Sequence, residues 1–153
     1  MNHTATALLQ TINETAPQLH AISEDVAAVK PAPDVWSIKE IVGHLIDSAA
    51  NNHQRFVRAP QAGALSLPGY DGDAWVREQG YQERPWAELV DLWALFNRHL
   101  AHVISRLPES VMEAPIRIGA EGPFTLRFVV EDYVVHLRHH LSDVDRLKAR
   151  ASV

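Results

Sequence analysis

Three histidines fall within five positions of YVVHLRHHLSD, residues 133–143. Imidazole packs a core poorly, but its neutral form is the commonest protein ligand for a metal ion. At about 100° per residue on an α-helix, His136 and His140 share one arc with Val129, Tyr133, Val144 and Leu147. His139 falls at the margin of that arc, beside Asp132 and Arg146. An i, i+4 pair on a buried helical face is the usual way to present two nitrogens to one cation. Two core histidines satisfied by hydrogen bonds would show the same spacing, so a third ligand has to decide between these readings.

The stretch WSIKEIVGHLIDSAANNHQRF, residues 36–56, offers one. Ile38, Ile41, Leu45, Ala49 and Phe56 form its apolar arc, and His44 lies at the edge. Ser48, Asn51 and Arg55 continue along the meridian of His44, where a buried bundle helix would carry aliphatic side chains. Interior polar groups without partners are costly. The strip therefore reads as one wall of a solvated cavity, the alternative being an ordinary solvent-facing stripe. His53 points the opposite way, and His99 and His102 read as surface or structural residues. His3 and His20 carry no signal.

Two metal mechanisms fail on spacing. A zincin needs glutamate directly after its first histidine, and position 137 is leucine. A di-iron bundle needs Glu-x-x-His on two helices, a spacing that Glu40 and Glu131 do not have. What remains is a mononuclear three-histidine site with open positions, suited to Zn²⁺, Ni²⁺ or Fe²⁺.

Helical periodicity marks the elements that must carry these residues. One helix is expected over 5–28, and a second from Ser37 to about Arg58, with Ser37 and Glu40 at capping-box spacing and Trp36 placed to staple its start. A third runs from Pro85 to about Leu107 and a fourth from Thr125 to about Arg150. Residues 60–84 are rich in glycine, proline and aromatics and read as an ordered excursion, with one or two helical turns in DGDAWVREQ. EAPIRIGAEGPFT, residues 113–125, reads as a β-hairpin. The expectation is an all-α, single-domain chain over 1–153: a four-helix bundle with a short hairpin-like insertion before the last helix.

The totals exclude several classes. The 153 residues include no cysteine, which removes thiolate ligands, cysteine nucleophiles and disulfides. A formal charge of −5 with no basic cluster argues against nucleic acid. No apolar run approaches the ~20 residues of a membrane span, and no signal peptide is apparent, so a cytoplasmic location is expected.

The second-helix stretch, the later YDGDAW and the final YVVHLRHHLSDV together resemble the DinB/YfiT-like superfamily of metalloenzymes, and within it the YfiT branch. The resemblance covers nearly the whole chain and implies a four-helix bundle in which His44, His136 and His140 hold a divalent metal. Characterised members include S-transferases that use a low-molecular-weight thiol such as bacillithiol or mycothiol, and a thiol-dependent isomerase. The YfiT branch has also been labelled a metal-dependent hydrolase. The resemblance thus implies a transferase joining a small thiol to an electrophile, in a chain that is often a homodimer. On that reading the cation deprotonates the imported thiol, and Ser48, Asn51 and Arg55 hold its polar body. Hydrolysis is the alternative; it needs a general base, and Asp47 and Asp132 are the nearest acids, neither well placed on the helical projection. A binding module is the third reading, in which a fourth side chain would close the metal site. The aromatics Tyr70, Trp75 and Tyr81 are expected to be exposed, covering the cavity, meeting a second subunit or anchoring the loop.

Overall fold

The computed structural model describes residues 3–151. Four long helices form a bundle: α1 (His3–His20), α3 (Ile38–Ala62), α5 (Trp86–Ser105) and α6 (Leu126–Ala151). Helix α5 packs against α1 and α3, and α6 closes the bundle against α3 and α1. Each turns an apolar stripe inward, and Leu8, Ile12, Leu45, Phe56, Leu89, Trp93, Leu100 and Leu137 are almost wholly buried between them.

The first expected helix is broken. α1 ends at His20, and a short α2 (Glu24–Ala28) follows. Ser23 caps it, its side chain accepting from Val26 N, and Glu24 and Asp25 occupy its first turn, where carboxylates favour the helix dipole. The start of α3 is as expected: the Ser37 side chain accepts from Glu40 N while the Glu40 carboxylate accepts from Ser37 N. Pro60 does not end α3, which continues to Ala62 and stops at Gly63, whose φ of 68° suits glycine. Proline this close to a C-terminus breaks one helical bond and no following turn depends on it.

The excursion after α3 contains β1 (Leu65–Leu67) and α4 (Gly72–Gln79). Asp71 caps α4 by accepting from Ala74 N. The expected hairpin is β2 (Pro115–Ile118) with β3 (Glu121–Thr125), antiparallel. β1 adds to its outer edge in parallel, pairing Leu65 with Ile116 and Leu67 with Ile118. The sheet is thus three-stranded and ties the excursion to the segment leading into α6. Among the described residues no helix is long and apolar enough to cross a membrane.

Candidate metal centre

His44 comes from the second turn of α3, and His136 and His140 from successive turns of α6. The α3–α6 packing brings one ligand atom from each within 4.8 Å of the others. Among the described residues this is the one group of three or more potential ligands so placed. The ring centroids form a triangle of 5.2 Å (His44–His136), 4.7 Å (His44–His140) and 4.6 Å (His136–His140). His139 points away and is two-thirds exposed.

The donor set fits a cation. The Nε2 atoms of His44 and His136 are 3.3 Å apart; two nitrogens bound to one tetrahedral zinc at about 2.0–2.1 Å stand roughly 3.4 Å apart. His44 is 7% exposed, and its Nδ1 is buried without a hydrogen-bond partner among the described residues. Burial lowers the pKa of His44 to about 4, with His140 and His136 adding to the effect. Burial also lowers His136 and His140, opposed by the charges of Asp132 and Asp143 respectively. All three rings are therefore neutral near pH 7, the form that binds a metal.

Neighbouring residues set the ring positions. Asp143 Oδ2 lies 3.2 Å from His140 Nδ1, so that nitrogen carries the proton and donates, leaving Nε2 free as a ligand. The Arg146 guanidinium bonds the other oxygen of Asp143. Trp36 packs on the pair, with centroids 4.8 Å from His44 and 6.3 Å from His140. Helix α4 begins directly over His44: a Cβ on Gly72 would stand 3.2 Å from His44 Cε1.

That placement of α4 is held by Asp47, one turn beyond His44. Asp47 is 1% exposed, and its Oδ1 accepts from Tyr81 OH at 2.6 Å and from Gln79 Nε2 at 2.5 Å. Burial raises the Asp47 carboxyl pKa, and these two bonds oppose the rise. Tyr81 is not exposed as expected; it is 6% exposed because its ring lies over Gly43, where no Cβ intervenes, and its hydroxyl reaches Asp47. Tyr70 is half-buried and packs on Trp75, centroids 5.1 Å apart, while Trp75 is 38% exposed.

A cleft of about 340 Å³ opens beside His136. Ser48, Asn52, Arg55, Tyr70, Glu121 and Asp132 supply its polar wall, and Phe124 of β3 and Phe128 of α6 an apolar one. Arg55 is 8% exposed and donates from Nη1 to Asn52 Oδ1 at 3.2 Å; among the described residues it forms no ion pair. Burial lowers its pKa, opposed by Tyr70 and Asp132. Of the α3 strip expected at this wall, Ser48 and Arg55 line the cleft, whereas Asn51 does not. Its Nδ2 bonds the Asp47 carbonyl at 2.9 Å. Asn52 takes the place instead, bonded through Nδ2 to the Ser48 carbonyl at 2.9 Å. An amide in the middle of the apolar arc of α3 was the signal for Asn52. Asp143, i+3 from His140, was marked only by that spacing. Of the two candidate bases, Asp132 lines the cleft and Asp47 does not.

The fold and sequence have relatives. The solved structure of YfiT from Bacillus subtilis, described as a probable metal-dependent hydrolase with an unusual four-helix bundle topology, matches with a TM-score of 0.84. The match covers 99% of this chain and 90% of that one at 17% identity, a likeness of fold. No curated protein matches the chain significantly. A family model of the DinB superfamily matches residues 7–144, from the first bundle helix through all three clustered histidines to the last. The chain belongs to the DinB superfamily.

Proposed function

We propose that the chain is a metal-dependent enzyme in which His44, His136 and His140 hold one divalent cation, Zn²⁺, Ni²⁺ or Fe²⁺. It joins a low-molecular-weight thiol, such as bacillithiol, to an electrophilic small molecule. A cation bound by these rings supplies Lewis acidity, favouring the thiolate over the thiol at neutral pH. The observation that carries the reading is the cleft at His136. Its buried Arg55 guanidinium forms no direct ion pair among the described residues, and Asp132 acts on it only through space. A buried cation without a direct partner is costly, so the Arg55 end of the cleft suits an anionic, hydrogen-bonding group of the ligand. Ser48, Asn52 and Tyr70 stand beside Arg55 to bind the hydroxyl and amide groups of that molecule. Asp132 lines the same cleft as His136, which supports it as the group that takes the thiol proton. The sulfur–carbon bond forms as the leaving group departs with its electron pair. The chain has no cysteine, so the nucleophilic sulfur has to be imported.

Hydrolysis is the second reading, because Asp132 would serve equally to deprotonate a water and the YfiT structure is described as a probable metal-dependent hydrolase. The test is the loss of monochlorobimane by metal-loaded protein across several natural thiols. Thiol-dependent turnover above the enzyme-free rate is expected, with the KM for thiol raised about tenfold or more in Arg55→Ala, as for loss of a charge-assisted contact. No rate above background sinks thiol transfer, and thiol-independent cleavage of esters or amides replaces it with hydrolysis.

A further inference from the structure

The histidine cluster has a second cavity, on its other side. This cleft, about 370 Å³, lies between the segment before α3 and the last turns of α6. Trp36, Val35, Ile41 and Leu147 form its apolar wall, and His140 closes its inner end. No lining residue is shared with the cleft at His136. Along α6 the division is sharp. Residues from Phe128 to His136 line the first cleft, and residues from His140 to Arg150 the second. The two α6 ligands, one turn or about 6 Å apart on the helix, thus form the partition between two spaces.

The spaces differ in where their polar groups stand. The first is walled by buried polar groups, including a guanidinium. In the second, the wall is aliphatic and aromatic, with Ile41 buried, Trp36 and Leu147 half-buried and Val35 exposed. Trp36 spans His44 and His140, and the charges of Asp34, Asp73 and Arg150 stand on exposed residues at the rim. Arg146 and Asp143 neutralise each other there. Each volume falls at the lower end of the small-ligand range, so each suits one modest molecule. A transfer reaction has two substrates that must meet at one centre.

Resting on the thiol-transfer reading, we propose that the Trp36 cleft is the site of the electrophilic substrate, an apolar, planar molecule held against the indole. The polar thiol occupies the Arg55 cleft. The reacting carbon of the electrophile lies at the histidine end, where His140 lines one space and His136 the other. The charged rim leaves a polar or ionic tail of the substrate in water. The thiol sulfur bonds to that carbon, the leaving group departs with its electron pair, and the thiol proton passes to Asp132.

The site is tested by binding, without thiol and without turnover. Monochlorobimane, planar and apolar, is titrated against the metal-loaded protein by equilibrium dialysis. The expected result is saturable 1:1 binding, weakened at least fivefold by Trp36→Ala and by Leu147→Trp, and changed less than twofold by Arg55→Ala. Leu147→Trp fills the cleft from the α6 side, so it does not depend on the Trp36 variant folding. Lack of saturable binding to the wild type overturns the assignment. So does wild-type affinity in both cleft variants, or a loss in Arg55→Ala equal to that in Trp36→Ala. If the variants behave as expected while no thiol is ever transferred, the apolar ligand site stands and the transferase reading falls.

Discussion

Replacing Asp143 with alanine should weaken metal binding without touching a ligand. In the folded protein the Asp143 carboxylate accepts the Nδ1 proton of His140 at 3.2 Å and is about one-quarter exposed. Its removal frees the ring to rotate and to take the other tautomer, in which Nε2 is protonated and cannot bind. Loss of such a carboxylate partner typically costs about 10–100-fold in metal affinity, or roughly 1.4–2.7 kcal/mol. Arg146 also bonds Asp143 and withdraws part of its charge, so we expect the lower end, about tenfold for Asp143→Ala. Asp143→Asn keeps an acceptor oxygen and should lose about threefold. The measurement is competition for Zn²⁺ or Ni²⁺ with a chromophoric chelator at pH 7.5, alongside the thermal midpoint of the metal-free protein. Affinity within twofold of wild type in Asp143→Ala, with an unchanged midpoint, would show that the carboxylate does not position His140.

A Cβ on Gly43 would fall 2.2 Å from the Tyr81 ring, so Gly43→Ala should destabilise the fold by about 1–3 kcal/mol. The melting midpoint then drops by roughly 2–4 °C per kcal/mol; an unchanged midpoint would mean that Tyr81 does not pack on α3. The metal-free protein should also lose stability as pH falls. The folded pKa of His44, about 4, lies below its ordinary value of 6.5, so the unfolded chain binds the proton first. The stabilisation is full above pH 6.5 and is lost as pH falls towards 4, by an amount on the order of 3 kcal/mol for His44 alone. Urea midpoints across that window should show the slope, and His44→Gln should reduce it, His136 and His140 supplying the remainder; an equal slope in the variant would exclude His44 as a source.

Periodicity and capping chemistry made the bundle legible in the chain itself, because an α-helix writes its buried face at 3.6-residue spacing and its start in one or two side chains. The same projection placed His136 and His140 on one inward arc, left His139 at its margin and offered His44 on a different helix. These are properties of single helices, and neighbours in sequence suffice to fix them. Where the sequence misled, the deciding contact came from elsewhere in the chain. Asn51 and Asn52 differ by one 100° step, and only the packing of α3 against α6 and the hairpin decides which amide meets the cleft. Tyr81 was expected in solvent because nothing local shows that Gly43, far away in sequence, leaves a bare patch of helix for its ring. Pairing of Leu65–Leu67 with a strand some fifty residues later likewise has no local signature. The sequence determined which side chains face inward and what chemistry they could perform. The tertiary structure decided that three rings converge, that Asp143 and Trp36 fix them, and that a separate cavity lies on either side. Convergence depends on the relative rotation and translation of whole helices, which the packing of all four sets together.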